Sequence, residues 1–177
     1  QSKNIGTGNY NGCGPINFFD TGGNGGNYSN SENITETYCS SVAGQCIQFT
    51  FSVFNTESCC DDLTIYDGPT TGSPLIGTYA GTTLPNGGTI TSTTGCLTFV
   101  WSSDGSVVST GWSAAVTCVA CPTCSDGIKN GQEVGIDCGG PTCPACPCNM
   151  LPIINDEACC ATPVTVNTDG TCTLTTP

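Results

Sequence analysis

Sixteen cysteines in 177 residues, and not one histidine, constrain this chain more than any other feature. Disulfides persist only in oxidising compartments, so a chain this rich in cysteine is expected to be secreted and to work outside the cell. The missing histidine removes the commonest general base and the commonest metal ligand together. A Ser-His-Asp triad then has no base. A reactive cysteine needs a cation to lower its pKa, and the only basic side chains are Lys3 and Lys129. Against these two stand 14 acidic residues, for a net charge of -12. Neutralising phosphates takes Lys and Arg, so nucleic acid and anionic membranes are poor partners. No apolar run approaches the roughly 20 residues that cross a bilayer, so no direct membrane insertion is expected. Cations, neutral glycans and proteins remain as partners. No secretory leader is visible, which suits a mature chain beginning at Gln1 after cleavage.

Residues 1–118 carry the pattern of an all-β domain. Charged residues make up 9% of the chain, where about a quarter is usual. Short alternating apolar runs are separated by Gly, Asn and Pro turns. Candidate strands are Ile34 to Cys39, Cys46 to Phe54, Leu63 to Tyr66, Leu75 to Tyr79, Gly88 to Ser92, Cys96 to Trp101 and Trp112 to Cys118. In the second of these Ile47, Phe49, Phe51 and Val53 are expected on one face. Leu97, Phe99 and Trp101 form a second such set, and Trp112, Ala114 and Val116 a third. The glycine-rich stretch TGGNGGNYSN reads as loop. Its run Gly22-Gly23-Asn24-Gly25-Gly26 lacks the Lys-Ser/Thr and the helix of a phosphate loop. No amphipathic helix is evident. Regular short strands favour an antiparallel two-sheet sandwich over a barrel, with Trp101 and Trp112 as core residues and not a sugar platform.

Residues 49–68 read FTFSVFNTESCCDDLTIYDG. Two strands here flank a short acidic loop that holds Glu57 and Asp61. A third acid, Asp104, sits in a similar setting far downstream. By residue type alone these are solvated loop acids. Gathered at one end of a sandwich, however, they would repel one another unless a cation sat among them, and calcium takes roughly 6–8 oxygen ligands of this kind. Glu57 and Asp61 also imitate a glycosidase pair, but a small sandwich rarely supplies the deep aromatic cleft such an enzyme needs.

The same stretch carries a resemblance. An aromatic strand (Phe51 to Phe54) leads to Glu57, a short loop, Asp61, and a strand ending in Ile65-Tyr66-Asp67-Gly68. Gly77-Thr78-Tyr79, Thr91-Ser92, FVWSSDGS from Phe99 to Ser106, and Gly111-Trp112 follow in order. In this order residues 13–118 resemble a CUB domain, a jelly-roll-type antiparallel sandwich of extracellular proteins. The resemblance implies that Glu57, Asp61 and Asp104 hold Ca2+, completed by a backbone carbonyl and water. It also implies that this site stiffens nearby loops and holds a surface for a protein partner. Cys13–Cys39 fits the first bridge of the family, and Cys46 and Cys96 are paired here because both open strands. The cysteine common in the family after the mid-domain tyrosine is Ala80, and the Glu57-to-Asp61 loop contains the vicinal Cys59-Cys60.

Past Cys118 the composition changes. Cysteines and prolines crowd residues 119–148, and with so few bulky apolar residues only cross-links can hold such a segment. The spacing Cys121-x-x-Cys124 and Cys143-x-x-Cys146 is that of a four-cysteine zinc site, yet the oxidising setting and the neighbouring cysteines favour a disulfide-stapled linker. The stretch CSDGIKNGQEVGIDCGG from Cys124 resembles a short repeat of large bacterial surface proteins, many exported by the type IX route. Asp126, Asn130, Glu133 and Asp137 there offer oxygens for a second cation, although turn-forming is their simpler role. Residues 149–177 look like the start of a further β module. The whole is expected to be a calcium-binding, non-catalytic interaction module of a modular cell-surface adhesin, serving adhesion or surface motility. Its partners would be a protein or glycan at a surface, together with other surface-protein subunits. A filament subunit and an ancillary domain of a secreted protease are the alternatives.

Overall fold

The computed structural model describes residues 1–125, 127, 129, 133–139, 143, 144 and 146, with the backbone of Val164–Val166 and Cys172–Leu174. The chain divides into two compact units, Gln1–Cys121 and Pro122–Pro177.

The first unit is all-β. Its strands are β1 (Ser2–Asn4), β2 (Gly8–Asn11), β3 (Ile16–Phe19), β4 (Asn33–Cys39), β5 (Gln45–Asn55), β6 (Asp62–Tyr66), β7 (Leu75–Tyr79), β8 (Thr89–Thr91), β9 (Cys96–Ser102) and β10 (Gly111–Ala120), with a short 3-10 turn at Pro85–Gly88. They form two five-stranded sheets, ordered β1-β3-β10-β5-β8 and β2-β4-β9-β6-β7. Most pairings are antiparallel, as expected. The β1–β3 and β2–β4 pairings are parallel, and β1 to β3 lie ahead of the first candidate strand, where the sequence pattern marks none. Strands of three or four residues are too short to display a period of two, so nothing local marks them.

The two sheets meet face to face through aromatic rings. Phe49 of β5 lies 4.6 Å from Phe99 of β9, and Tyr38 of β4 lies 5.1 Å from Phe49, centroid to centroid. Trp101 and Trp112 meet edge to face at 5.0 Å. Both tryptophans are fully buried core residues, as are Leu97, Phe99, Ala114 and Val116. Each of these rings removes a large apolar surface from water, the dominant favourable term in a small sandwich.

One expected face is broken. Ile47, Phe49 and Phe51 are buried, but Val53 is 46% exposed and Phe54 takes the inward position. The register explains it: Phe51 faces Ala114 while Val53 faces Ser113, leaving Ser52 unpaired as a β-bulge. An extra residue in one strand reverses the alternation beyond it, and here it puts Phe54 in the core in place of Val53.

The disulfides differ from the expected pairs. Cys13 bonds Cys118 and not Cys39; Cys39 bonds Cys96; Cys46 bonds Cys121 and not Cys96. Cys39 and Cys96 stand opposite each other in the β4–β9 register, so their side chains share one face. Cys46 is turned to Cys121 because β10 runs past Cys118 to Ala120 alongside β5. Cys59 pairs with its neighbour Cys60.

The second unit carries the bridges Cys124–Cys143 and Cys138–Cys146. With Cys121 bonded to Cys46, all four cysteines of the zinc-like spacing are in disulfides, and the zinc alternative falls. Both carboxylate oxygens of Asp137 accept the Gly127 N–H at 2.9 Å, and Glu133 accepts the Asp137 N–H at 3.2 Å. Asp126 and Asn130 lie outside the described residues. Val164–Val166 and Cys172–Leu174 pair antiparallel. Among the described residues no helix is long and apolar enough to cross a membrane.

Candidate functional site

At one end of the first unit, the loop between β5 and β6 meets the loop after β9. Carboxylate oxygens of Glu57, Asp61 and Asp104 all lie within 4.8 Å of one another. The sandwich brings together three acids that the sequence spreads over 48 positions. Asp61 is fully buried, Glu57 is half-buried, and Asp104 is exposed.

Each acid is held by the frame around it. Asp61 accepts the Tyr28 hydroxyl at 2.5 Å on one oxygen and the Asp104 N–H at 2.9 Å on the other. Its backbone carbonyl accepts the Thr56 hydroxyl at 3.0 Å. The Tyr28 hydroxyl in turn accepts the Glu57 N–H at 3.0 Å. Asp104 accepts the Ser106 N–H at 2.8 Å, and its carbonyl accepts the Ser31 N–H at 2.5 Å. Ser31 is held in the left-handed region (φ 60), as is the exposed Val107 (φ 58) on the Asp104 loop. Such backbone is costly for residues with a Cβ, and it clusters where a loop must present a fixed surface.

The electrostatics are one-sided. Lys3, the only basic side chain in the first unit, is bound to the buried Glu36. Desolvation, followed by the charges of Asp104 and Asp61, holds the Glu57 carboxyl above the ordinary carboxylate range. One Glu57 oxygen, Oε2, is buried without a hydrogen-bond partner. Tyr28 is pushed up to about 12 by burial and by its bond to Asp61, so it is protonated and donates at neutral pH. A cluster of oxygen donors with an orphaned buried oxygen and no neighbouring base suits a hard divalent cation, which prefers carboxylates and carbonyls.

Sequence reasoning misses Tyr28, which links two of the acids. It lies in the glycine-rich opening, outside any strand, and only the closed sandwich brings it to Asp61. Asp67, part of the Ile65-Tyr66-Asp67-Gly68 motif, does not join the cluster. Its carboxylate accepts the Thr93 N–H and hydroxyl at 2.9 and 2.6 Å, tying β6 to the turn before β9.

Comparisons with solved structures return the same architecture. The extracellular region of zebrafish Gpr126/Adgrg6 superposes with a TM-score of 0.55 at 23% identity, covering 66% of this chain and 15% of that one. The CUB1-EGF-CUB2 domain of human MASP-1/3 gives 0.54 at 16% identity, covering 66% and 43%. The MASP-1 CUB2 domain bound to Ca2+ gives 0.51 at 18% identity, covering 63% and 98%. This chain therefore spans less than half the length of the first two. The family model for the CUB domain matches residues 25–116, which hold the three acids, Tyr28 and every strand from β4 to β9. More than half of the sequence lies in that match, and the chain belongs to the CUB domain family.

Proposed function

We propose that the first unit is a calcium-dependent interaction module of a larger secreted surface protein, working in adhesion. The observation that carries this reading is the meeting of Glu57, Asp61 and Asp104 within 4.8 Å, with no base to neutralise them and with Glu57 Oε2 left unpaired. These three residues would hold the ion, and a bound Ca2+ would supply the positive charge that the cluster lacks. Tyr28 and the Asp104 N–H fix both oxygens of Asp61, so Asp61 is the rigid member. Glu57 and Asp104 lie on two different loops and close on it from either side. The loops carry exposed Ser58, Gly105, Ser106 and Val107, a small polar and apolar rim that a partner could cover. The lack of a histidine, the commonest general base, supports a binding role over catalysis. Adhesive export by the type IX route, as in modular bacterial surface proteins, fits the repeat-like segment from Cys124.

Isothermal titration of the intact chain with Ca2+ tests the site. Binding is expected for the wild type and its loss for Asp104→Ala. An Asp104→Ala chain that binds Ca2+ with unchanged affinity would end the assignment. Beads coated with the chain should then adhere to cells or glycan surfaces in Ca2+ and release in EGTA; adhesion indifferent to EGTA separates the ion from the interaction.

A further inference from the structure

Every described disulfide of the first unit but one joins residues distant in sequence. Cys13–Cys118, Cys39–Cys96 and Cys46–Cys121 span separations of 105, 57 and 75. A cross-link of that kind stabilises the fold by restricting the unfolded chain, more so for longer loops. Cys59–Cys60 has a separation of 1 and closes only a small ring through one peptide bond. It removes almost no freedom from the unfolded chain, so the stability of the sandwich does not account for it. Its effect is local, on the segment between Glu57 and Asp61.

The position of this bridge is specific. A Glu57 oxygen and both sulfurs lie within 4.8 Å of one another, so the bridge borders the acidic cluster. Among the described disulfides it is the one with an exposed cysteine, Cys59. Thr56, at the head of the loop, is tied to the β7 exit by two hydrogen bonds, its N–H to Gly81 O at 2.9 Å and Gly81 N–H to its hydroxyl at 3.0 Å. With Ala80 at that exit and Cys59 bonded to Cys60, no disulfide fastens the loop to β7.

We infer that Cys59–Cys60 is a thiol-exchange site that sets the calcium affinity of the loop beside it. This rests on the calcium reading above. Its substrate class is a small dithiol or a dithiol protein. One thiolate attacks a sulfur of the bridge, with Cys59 the exposed member, giving a mixed disulfide. The second thiol of the reductant resolves it. The bridge gains two electrons and two protons and becomes two thiols, and the dithiol leaves as its own disulfide. Once open, the segment Ser58 to Cys60 regains backbone freedom, and closing Glu57 on Asp61 and Asp104 must order it again. Ordering about one residue is worth roughly tenfold in affinity.

The test is mild reduction of the intact chain with a dithiol under native conditions, alkylation, and peptide mass spectrometry. Cys59 and Cys60 should label before the cysteines of every other described disulfide, with the sandwich still folded by circular dichroism. The alkylation-free reduced protein and the double variant Cys59→Ser, Cys60→Ser should each bind Ca2+ about tenfold more weakly, and reoxidation of the wild type should restore the affinity. Prior labelling of another bridge, or unchanged affinity in both reduced protein and double variant, overturns the inference. If the oxidised wild type binds no Ca2+, the calcium reading itself fails, whichever cysteines label first.

Discussion

Replacing Asp104 with Asn tests the electrostatics of the site, because its effect should change sign with the ion. Asn keeps the shape of Asp104 and an oxygen for the Ser106 N–H. It removes one of three crowded charges. Without calcium the variant should melt at or slightly above the wild type, since less like charge is left to repel. With calcium the order should reverse. An ion present at a hundred times its Kd stabilises the folded state by about 2.7 kcal/mol. Unfolding entropy runs at roughly 2.1 cal/mol/K per residue, so the unit Gln1–Cys121 should release about 0.25 kcal/mol/K. The two figures give a wild-type rise of about 10 °C on adding calcium. The disulfides reduce the unfolding entropy, so this shift is a lower figure. Differential scanning calorimetry of both proteins in EGTA and in excess Ca2+ reads it directly. A variant displaced equally in both buffers, or a wild type that melts alike in both, would refute the reasoning.

Three further outcomes follow from the packing and the charges. Phe49→Ala empties the centre of a ring cluster formed with Phe18, Tyr38 and Phe99; urea unfolding should show a loss of about 3–5 kcal/mol while the calcium affinity of the folded fraction is kept. Gly111 has φ 64, and an added Cβ would stand 2.1 Å from Asp20 Oδ2, the acceptor of the Trp112 N–H. Gly111→Ala should therefore cost more than the ~1–2 kcal/mol of a left-handed residue alone, read as a lowered urea midpoint. The raised pKa of Glu57 means that the folded state holds this proton more tightly than the unfolded chain. That contribution is fully present below the ordinary carboxylate range and is lost as pH rises through the raised value. In EGTA, the difference in stability between the wild type and Glu57→Gln should follow this fall, and calcium affinity should rise over the same window.

The sequence reveals some features of this molecule at single-residue resolution and hides others. Strand β7 is bounded by Pro74 on one side and Ala80-Gly81 on the other, and its limits coincide with Leu75 to Tyr79. The face of β5 is readable as far as Phe51 and then lost, because a period of two cannot register the extra residue at Ser52. Strands β1 to β3 are hidden for want of length, and β3 takes its antiparallel partner, β10, from far along the chain. Disulfide pairing depends on which strands are neighbours, so Cys39 opposite Cys96 becomes evident only with the β4–β9 register in place. The acids Glu57, Asp61 and Asp104 stand out through the order of the motifs around them. Tyr28 carries no such mark: a tyrosine among glycines gives no hint that its hydroxyl will reach across to a buried carboxylate.

The Cys13–Cys118 bond has a mechanical consequence. A pull applied at the two ends of the first unit passes from Cys13, just after β2, to the last strand through one covalent link. The intervening stretch, which would otherwise pay out roughly 350 Å of slack at about 3.4 Å per residue over a separation of 105, bears no tension. Under shear, a surface protein built of such units would lengthen at its linkers while each sandwich kept its grip.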